Sequence, residues 1–199
     1  MIDHRRGSKN AVLAAALMLA SPAAAHTGSG GLGGFVAGIE HPLTGIDHLL
    51  AMVSVGIWGA ILGRPLLIAL PVVFPGMMAV GGLLGLIHLP FPRVELGIAL
   101  SVLLLGGAIA LEWRASVWAA VVLVGVFALF HGYAHGRELP RAADPVYYSL
   151  GFMLATGSLH VAGIGIGLVH DRPGGPAVTR LAGGIVAVAG VRFLWQALV

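Results

Sequence analysis

Stretches of about 20 apolar residues follow one another along almost the whole chain, and they restrict its folds more than any other feature. Some 20 residues rising about 1.5 Å each span the roughly 30 Å hydrocarbon core of a bilayer. Lipid offers no water to backbone N–H and C=O groups, so such stretches must satisfy those groups internally, as helices. Hydrophobic residues make up 58% of the chain and charged residues 10%, against about 45–50% and about 25% in soluble domains. A water-soluble fold of this composition would have no polar surface. The expected fold class is therefore all-α, a polytopic membrane helical bundle.

The first 25 residues read as a cleavable signal peptide: a basic start with Arg5, Arg6 and Lys9, an apolar stretch Ala11–Ala20, and the small-residue ending Ala23-Ala24-Ala25. Cleavage there makes His26 the new N-terminus, where α-amine and imidazole could chelate a cation together. A retained first helix is the competing reading, disfavoured by the shortness of the apolar stretch. The remainder, 26–199, reads as one transmembrane domain with about six spans, near 43–63, 66–87, 94–112, 116–136, 146–169 and 178–198. Leu32–Glu40 is apolar but too short to cross, and Pro42 and Gly45 are expected to interrupt it, which suggests a half-helix or re-entrant piece before the first span. An exported N-terminus places the start of span 1, the ends of spans 2 and 4 and the start of span 5 on the periplasmic side of a multi-pass inner-membrane protein. The net charge of +3 comes largely from the first ten residues; without them Lys+Arg falls from 11 to 8 and Asp+Glu from 8 to 7, and no nucleic-acid surface is implied.

An ionisable side chain near the bilayer centre costs about 2.5–3.5 kcal/mol on insertion scales, so each needs a partner or a task. Two short motifs hold most of them. In the first, His41-Pro42-Leu43-Thr44-Gly45-Ile46-Asp47-His48, Asp47 and His48 fall in the first turns of span 1 and His41 lies just ahead of it. The N-terminal helix dipole would repel a cation unless Asp47 offsets it, and Asp47 could also orient an imidazole; alone, the pair also reads as a helix stabiliser and a packing histidine. In the second, Phe130-His131-Gly132-Tyr133-Ala134-His135-Gly136-Arg137-Glu138, the residues His131, His135 and Glu138 are spaced i, i+4, i+7. They share a stripe about 60° wide on one helix face. Two imidazoles one turn apart can ligate one ion, with a carboxylate a turn further on to ligate or position a ring. His160, amid glycines in span 5, reads equally as a relay station along an ion path or as an interhelical hydrogen-bond donor. The chain has no cysteine, which excludes disulfides and thiolate sites and leaves imidazole and carboxylate, ligands suited to Ni²⁺, Co²⁺ and Zn²⁺.

With these residues in view the chain resembles the HupE/UreJ family of small membrane proteins. The resemblance is carried by H-x₅-D-H at His41, Asp47 and His48, by F-H-G-x-A-H-G-x-E from Phe130 to Glu138, by the signal followed directly by His26, and by the six spans. It implies secondary uptake of Ni²⁺ or Co²⁺ across the inner membrane for hydrogenase or urease maturation, with His41, Asp47, His48, His131, His135 and Glu138 as functional positions. The ion, with Zn²⁺ also admissible, would be cargo, and no permanently bound cofactor and no enzymatic activity are expected. No G-x₄-G-K-[ST] motif is present to couple ATP. Two rival readings use the same ligands. One is a metal-capturing accessory subunit of another permease; the other is an intramembrane metalloenzyme, against which stands the lack of H-E-x-x-H and of a separate general base. The expected partners are the lipid bilayer and a divalent ion, with a homo-oligomer or other permease components left open.

Overall fold

The structure is a computed structural model, and it describes residues 31–139 and 144–199. The expected signal peptide at 1–25 and His26 lie outside the described residues. Among these residues every regular element is a helix: α1 Gly31–Thr44, α2 Ile46–Leu62, α3 Leu66–Leu86, α4 Val94–Ala110, α5 Val117–Glu138, α6 Pro145–Gly167, a 3-10 turn Leu168–Asp171, and α7 Gly175–Leu198.

Helix starts follow local chemistry. Ser116 caps α5 by accepting from the Ala119 N–H at 3.3 Å. Asp144 caps α6 by accepting from the Val146 and Tyr147 N–H groups at 2.9 and 3.3 Å, with Pro145 in the first turn, where its missing N–H is not needed. The protein is a helical membrane bundle: α3, α5, α6 with its 3-10 extension, and α7 are each long and apolar enough to cross a bilayer. The pair α1 and α2 qualifies only jointly and is bent by 79°. Each of the six segments expected as spans matches one of α2 to α7 to within three residues at either end, but α4 has 17 residues and rises only about 25 Å.

One expectation is corrected. Pro42 does not interrupt α1, which continues through it to Thr44 and breaks at Gly45, held in an extended conformation. Pro42 lies in the last turn, where its missing N–H costs a single hydrogen bond. The nearby carbonyls are taken up: Thr44 Oγ1 donates to Glu40 O at 3.0 Å and to His41 O at 3.2 Å, and the Gly45 N–H donates to His41 O at 3.1 Å. The first span's helix therefore starts at Ile46, not at 43.

Helix neighbours are chosen by small residues. α3 packs on α5, α4 on α7, and both α1 and α2 on α6. Between α3 and α5 the backbones touch: a Cβ on Gly81 would fall on the Leu129 carbonyl, and one on Gly132 on the Met78 carbonyl. Within lipid, where apolar burial drives little association, such approach supplies the dispersion contacts that hold helices together. The Gly81→Leu protein is expected to lose most of its monodisperse fraction in detergent, because backbone cannot move aside as a side chain can. Gly184→Leu, whose added atoms meet open space, should behave as wild type in the same size-exclusion measurement.

The core gathers Met52, Trp58, Leu70, Phe74, Leu105 and Ile109 at the bundle axis. Large apolar side chains such as Ile68, Leu83, Val161, Leu181 and Val188 point outward and are exposed, as the lipid-facing surface of a membrane bundle requires. At the end of the bundle where α2 and α4 terminate, arginines meet the helix carbonyls. Arg114 donates to Ile61 O at 2.7 Å and Arg180 to Ala110 O at 3.1 Å, each placing a cation at the negative pole of a helix.

Candidate metal site

The break at Gly45 turns the chain so that the last turn of α1 and the first turn of α2 face the end of α5. This brings four imidazoles from three helices together. The His48 ring centroid lies 4.2 Å from that of His135 and 4.6 Å from that of His131, and His41 lies 4.7 Å from His135 and 6.2 Å from His48. His48, His131 and His135 are buried and His41 is half-buried. Phe152 closes the far side, 4.4 Å from the His135 ring.

Hydrogen bonds set the tautomers of two of these rings. Asp47 sits in the first turn of α2 and accepts from the His48 backbone N–H at 2.8 Å; its Oδ1 also pairs with His48 Nδ1 at 3.1 Å. A carboxylate only accepts, so Nδ1 carries the proton and Nε2, which is buried without a partner, presents its lone pair. His131 is held from α4. Ser101 Oγ donates its one proton to Ile98 O at 2.6 Å, so at 2.8 Å it accepts from His131 Nε2–H. His131 Nδ1 is then the unprotonated nitrogen, and it too is buried and unpartnered, as are both nitrogens of His135. Outer partners that fix a ring's tautomer and raise its basicity are the usual companions of metal-ligating histidine.

Among the described residues no three His, Asp or Glu groups are disposed to hold one ion as they stand. A metal about 2.1 Å from each ligating nitrogen separates two ring centroids by roughly 4.5–6.5 Å; the His48–His135 pair at 4.2 Å is closer than that, and the edge-to-face pairs at 4.6 and 4.7 Å stand at its lower end. Turning the rings apart by about 1 Å or less brings them into that range.

Beside the rings a cavity of about 460 Å³ is lined by His41, Thr44, Asp47, His48, Glu95 and Gln196, among others. Two carboxylates thus flank the imidazoles. Glu95, in the first turn of α4, was not singled out from the sequence, although an acidic residue opening a span on the same side as the two motifs was the available signal. Ser101 and Phe74 were not singled out either, and nothing local marks them. Glu138 ends α5, but its side chain lies outside what is described. His160 is not part of this group: it lies deeper on α6, 5.4 Å from the ring of Phe74.

Comparison with known proteins agrees with the motifs. The model of a family described as "HupE / UreJ protein" matches residues 14–193. The chain is 44% identical over 187 residues to "Protein HupE" of Rhizobium leguminosarum bv. viciae, an alignment covering 94% of this chain and 97% of that protein. No solved structure matches the chain.

Proposed function

This chain belongs to the HupE/UreJ family, and on that basis we propose that it is a secondary transporter for a divalent transition metal, Ni²⁺ or Co²⁺, across the inner membrane. The observation that carries this reading is the set of four buried, unpartnered imidazole nitrogens on His48, His131 and His135 beside the carboxylates of Asp47 and Glu95. An unsatisfied buried polar atom costs about 1–3 kcal/mol, and three such histidines would be an expensive arrangement without an occupant that accepts their lone pairs. Imidazole nitrogen suits borderline divalent ions, while hard ions such as Mg²⁺ prefer oxygen alone.

His41, His48, His131 and His135 would form the entrance ligands, and Asp47 would orient His48 and offset the positive end of α2. Glu95 would add charge at the mouth, with Glu138 assigned there by its motif position. The cavity admits a hydrated ion, and exchange of its waters for imidazoles is stepwise because few ligands are already in place. Sites that are individually weak allow release as well as capture. The proposed direction, with the mouth in the periplasm, rests mainly on the signal-peptide reading, the connecting segments adding only a slight bias of Arg64, Arg114, Arg172 and Arg180 on the inner side against Arg93, Arg137 and Arg141 on the outer.

Purified protein in vesicles enclosing a metal-sensitive dye provides the test. External Ni²⁺ or Co²⁺ is expected to quench the dye at a rate proportional to protein, and Mg²⁺ should compete poorly. Absence of flux together with tight binding would overturn transport and favour the metal-capturing subunit.

A further inference from the structure

Deeper in the bundle lie three polar side chains that the entrance does not use. Thr156 and His160 stand one turn apart on the same face of α6, each 1% exposed, and Ser54 on α2 is fully buried. The two helices meet there without side chains between them: a Cβ on Gly56 would fall on the His160 carbonyl, and one on Gly163 on the Val53 carbonyl. Ser54 lies at this depth, but at 100° per residue it is turned well away from the Val53 and Gly56 side of α2 that meets α6.

These groups are unsatisfied where their counterparts are not. Thr44, Ser101, Ser149, Ser158 and Thr179 each turn the hydroxyl back onto a carbonyl of their own helix, the ordinary resting place for a helical hydroxyl. Ser54 Oγ and Thr156 Oγ1 do not, and both nitrogens of His160 are also buried without a partner. An interhelical hydrogen bond, the bland expectation for His160, is thus not made. What His160 does touch is Phe74, edge to face at 5.4 Å, and the same buried ring lies 5.8 Å from His131 of the entrance.

Resting on the transport reading above, we propose that Thr156 and His160 form a second, deeper station for a partly hydrated divalent cation, separated from the entrance imidazoles by the ring of Phe74. One imidazole and one hydroxyl bind such an ion more weakly than the entrance does, which is what onward movement needs. The unprotonated nitrogen of His160 supplies the metal bond, and the Thr156 hydroxyl accepts a hydrogen bond from a water the ion retains.

The test compares full-length wild type, His160→Leu and His135→Ala for Ni²⁺ flux into vesicles and for Ni²⁺ binding by equilibrium dialysis. His160→Leu is expected to lower the maximal flux by about tenfold or more and to abolish a second, weaker binding event. The tighter event and the half-saturating concentration should stay within about twofold of wild type. A purely structural role for His160 would not remove one binding event and spare the other. Wild-type flux in His160→Leu, or loss of the tighter event along with it, overturns the second station. If His160→Leu fails to fold, the near-isosteric Thr156→Val takes its place: lower maximal flux with the tighter event intact supports the station, and unchanged flux overturns it. Failure of the transport reading looks different, since His135→Ala would then also match wild type.

Discussion

The His135→Ala protein is expected to take up Ni²⁺ at least about 100-fold more slowly than wild type at low metal concentration, beyond the 10–100-fold typical of losing an outer partner of a ligand. His135 is the hub of the entrance. Its ring lies between His41 and His48, at 4.7 and 4.2 Å, and neither of its nitrogens has a partner. Removing it takes away the imidazole through which an ion bound by α2 could also be held by the last turn of α5. Folding should be little affected, because the deleted ring gives up no hydrogen bond and its neighbours His41 and His48 line an existing cavity, into which the space left by truncation can open. Radiolabelled uptake, normalised to membrane-inserted protein measured by immunoblot, checks this. Uptake within twofold of wild type would overturn the assignment of the entrance.

Asp47→Asn is expected to weaken Ni²⁺ binding by about 10–100-fold while leaving the protein folded. Two effects act in the same direction. A carboxylate can only accept, so it holds His48 in the form whose Nε2 lone pair is exposed to the cluster; an amide can present either its oxygen or its NH₂ group, and the second choice reverses the tautomer. The substitution also removes the negative charge that offsets the partial positive charge at the start of α2, which then opposes the approaching cation. The side chain is 37% exposed and its partner is local, so the packing of the bundle does not depend on it. Equilibrium dialysis should show a weaker tight site with unchanged stoichiometry. A change in stoichiometry without a change in affinity would contradict the orienting role.

Much of this architecture was legible in the chain. The apolar stretches announced α2 to α7, and the i, i+4 spacing of His131 and His135 placed both rings on one face of α5. The motif around Asp47 indicated a carboxylate in the first turn of a span, which is where α2 carries it. Pro42 was misjudged because the cost of a proline depends on how many turns follow it, and here the helix ends two residues later. Glu95, Ser101 and Phe74 stood in no motif. Each matters only because α4 and α3 bring it to a residue of α2, α5 or α6, some 30 to 86 positions away in the chain for the contacts of Ser101 and Phe74.

The sequence by itself determined that this protein is a set of bilayer-length helices with ligating side chains at a few defined turns, because hydrocarbon thickness and helical periodicity act on neighbouring residues. Only the tertiary structure decided that His41, His48, His131 and His135 meet, which nitrogen of His48 and His131 is free, and that Phe74 stands between them and His160. In lipid the choice of helix neighbours comes from many small backbone approaches, such as those at Gly81 and Gly132. That choice is spread over several helices, and no local pattern records it.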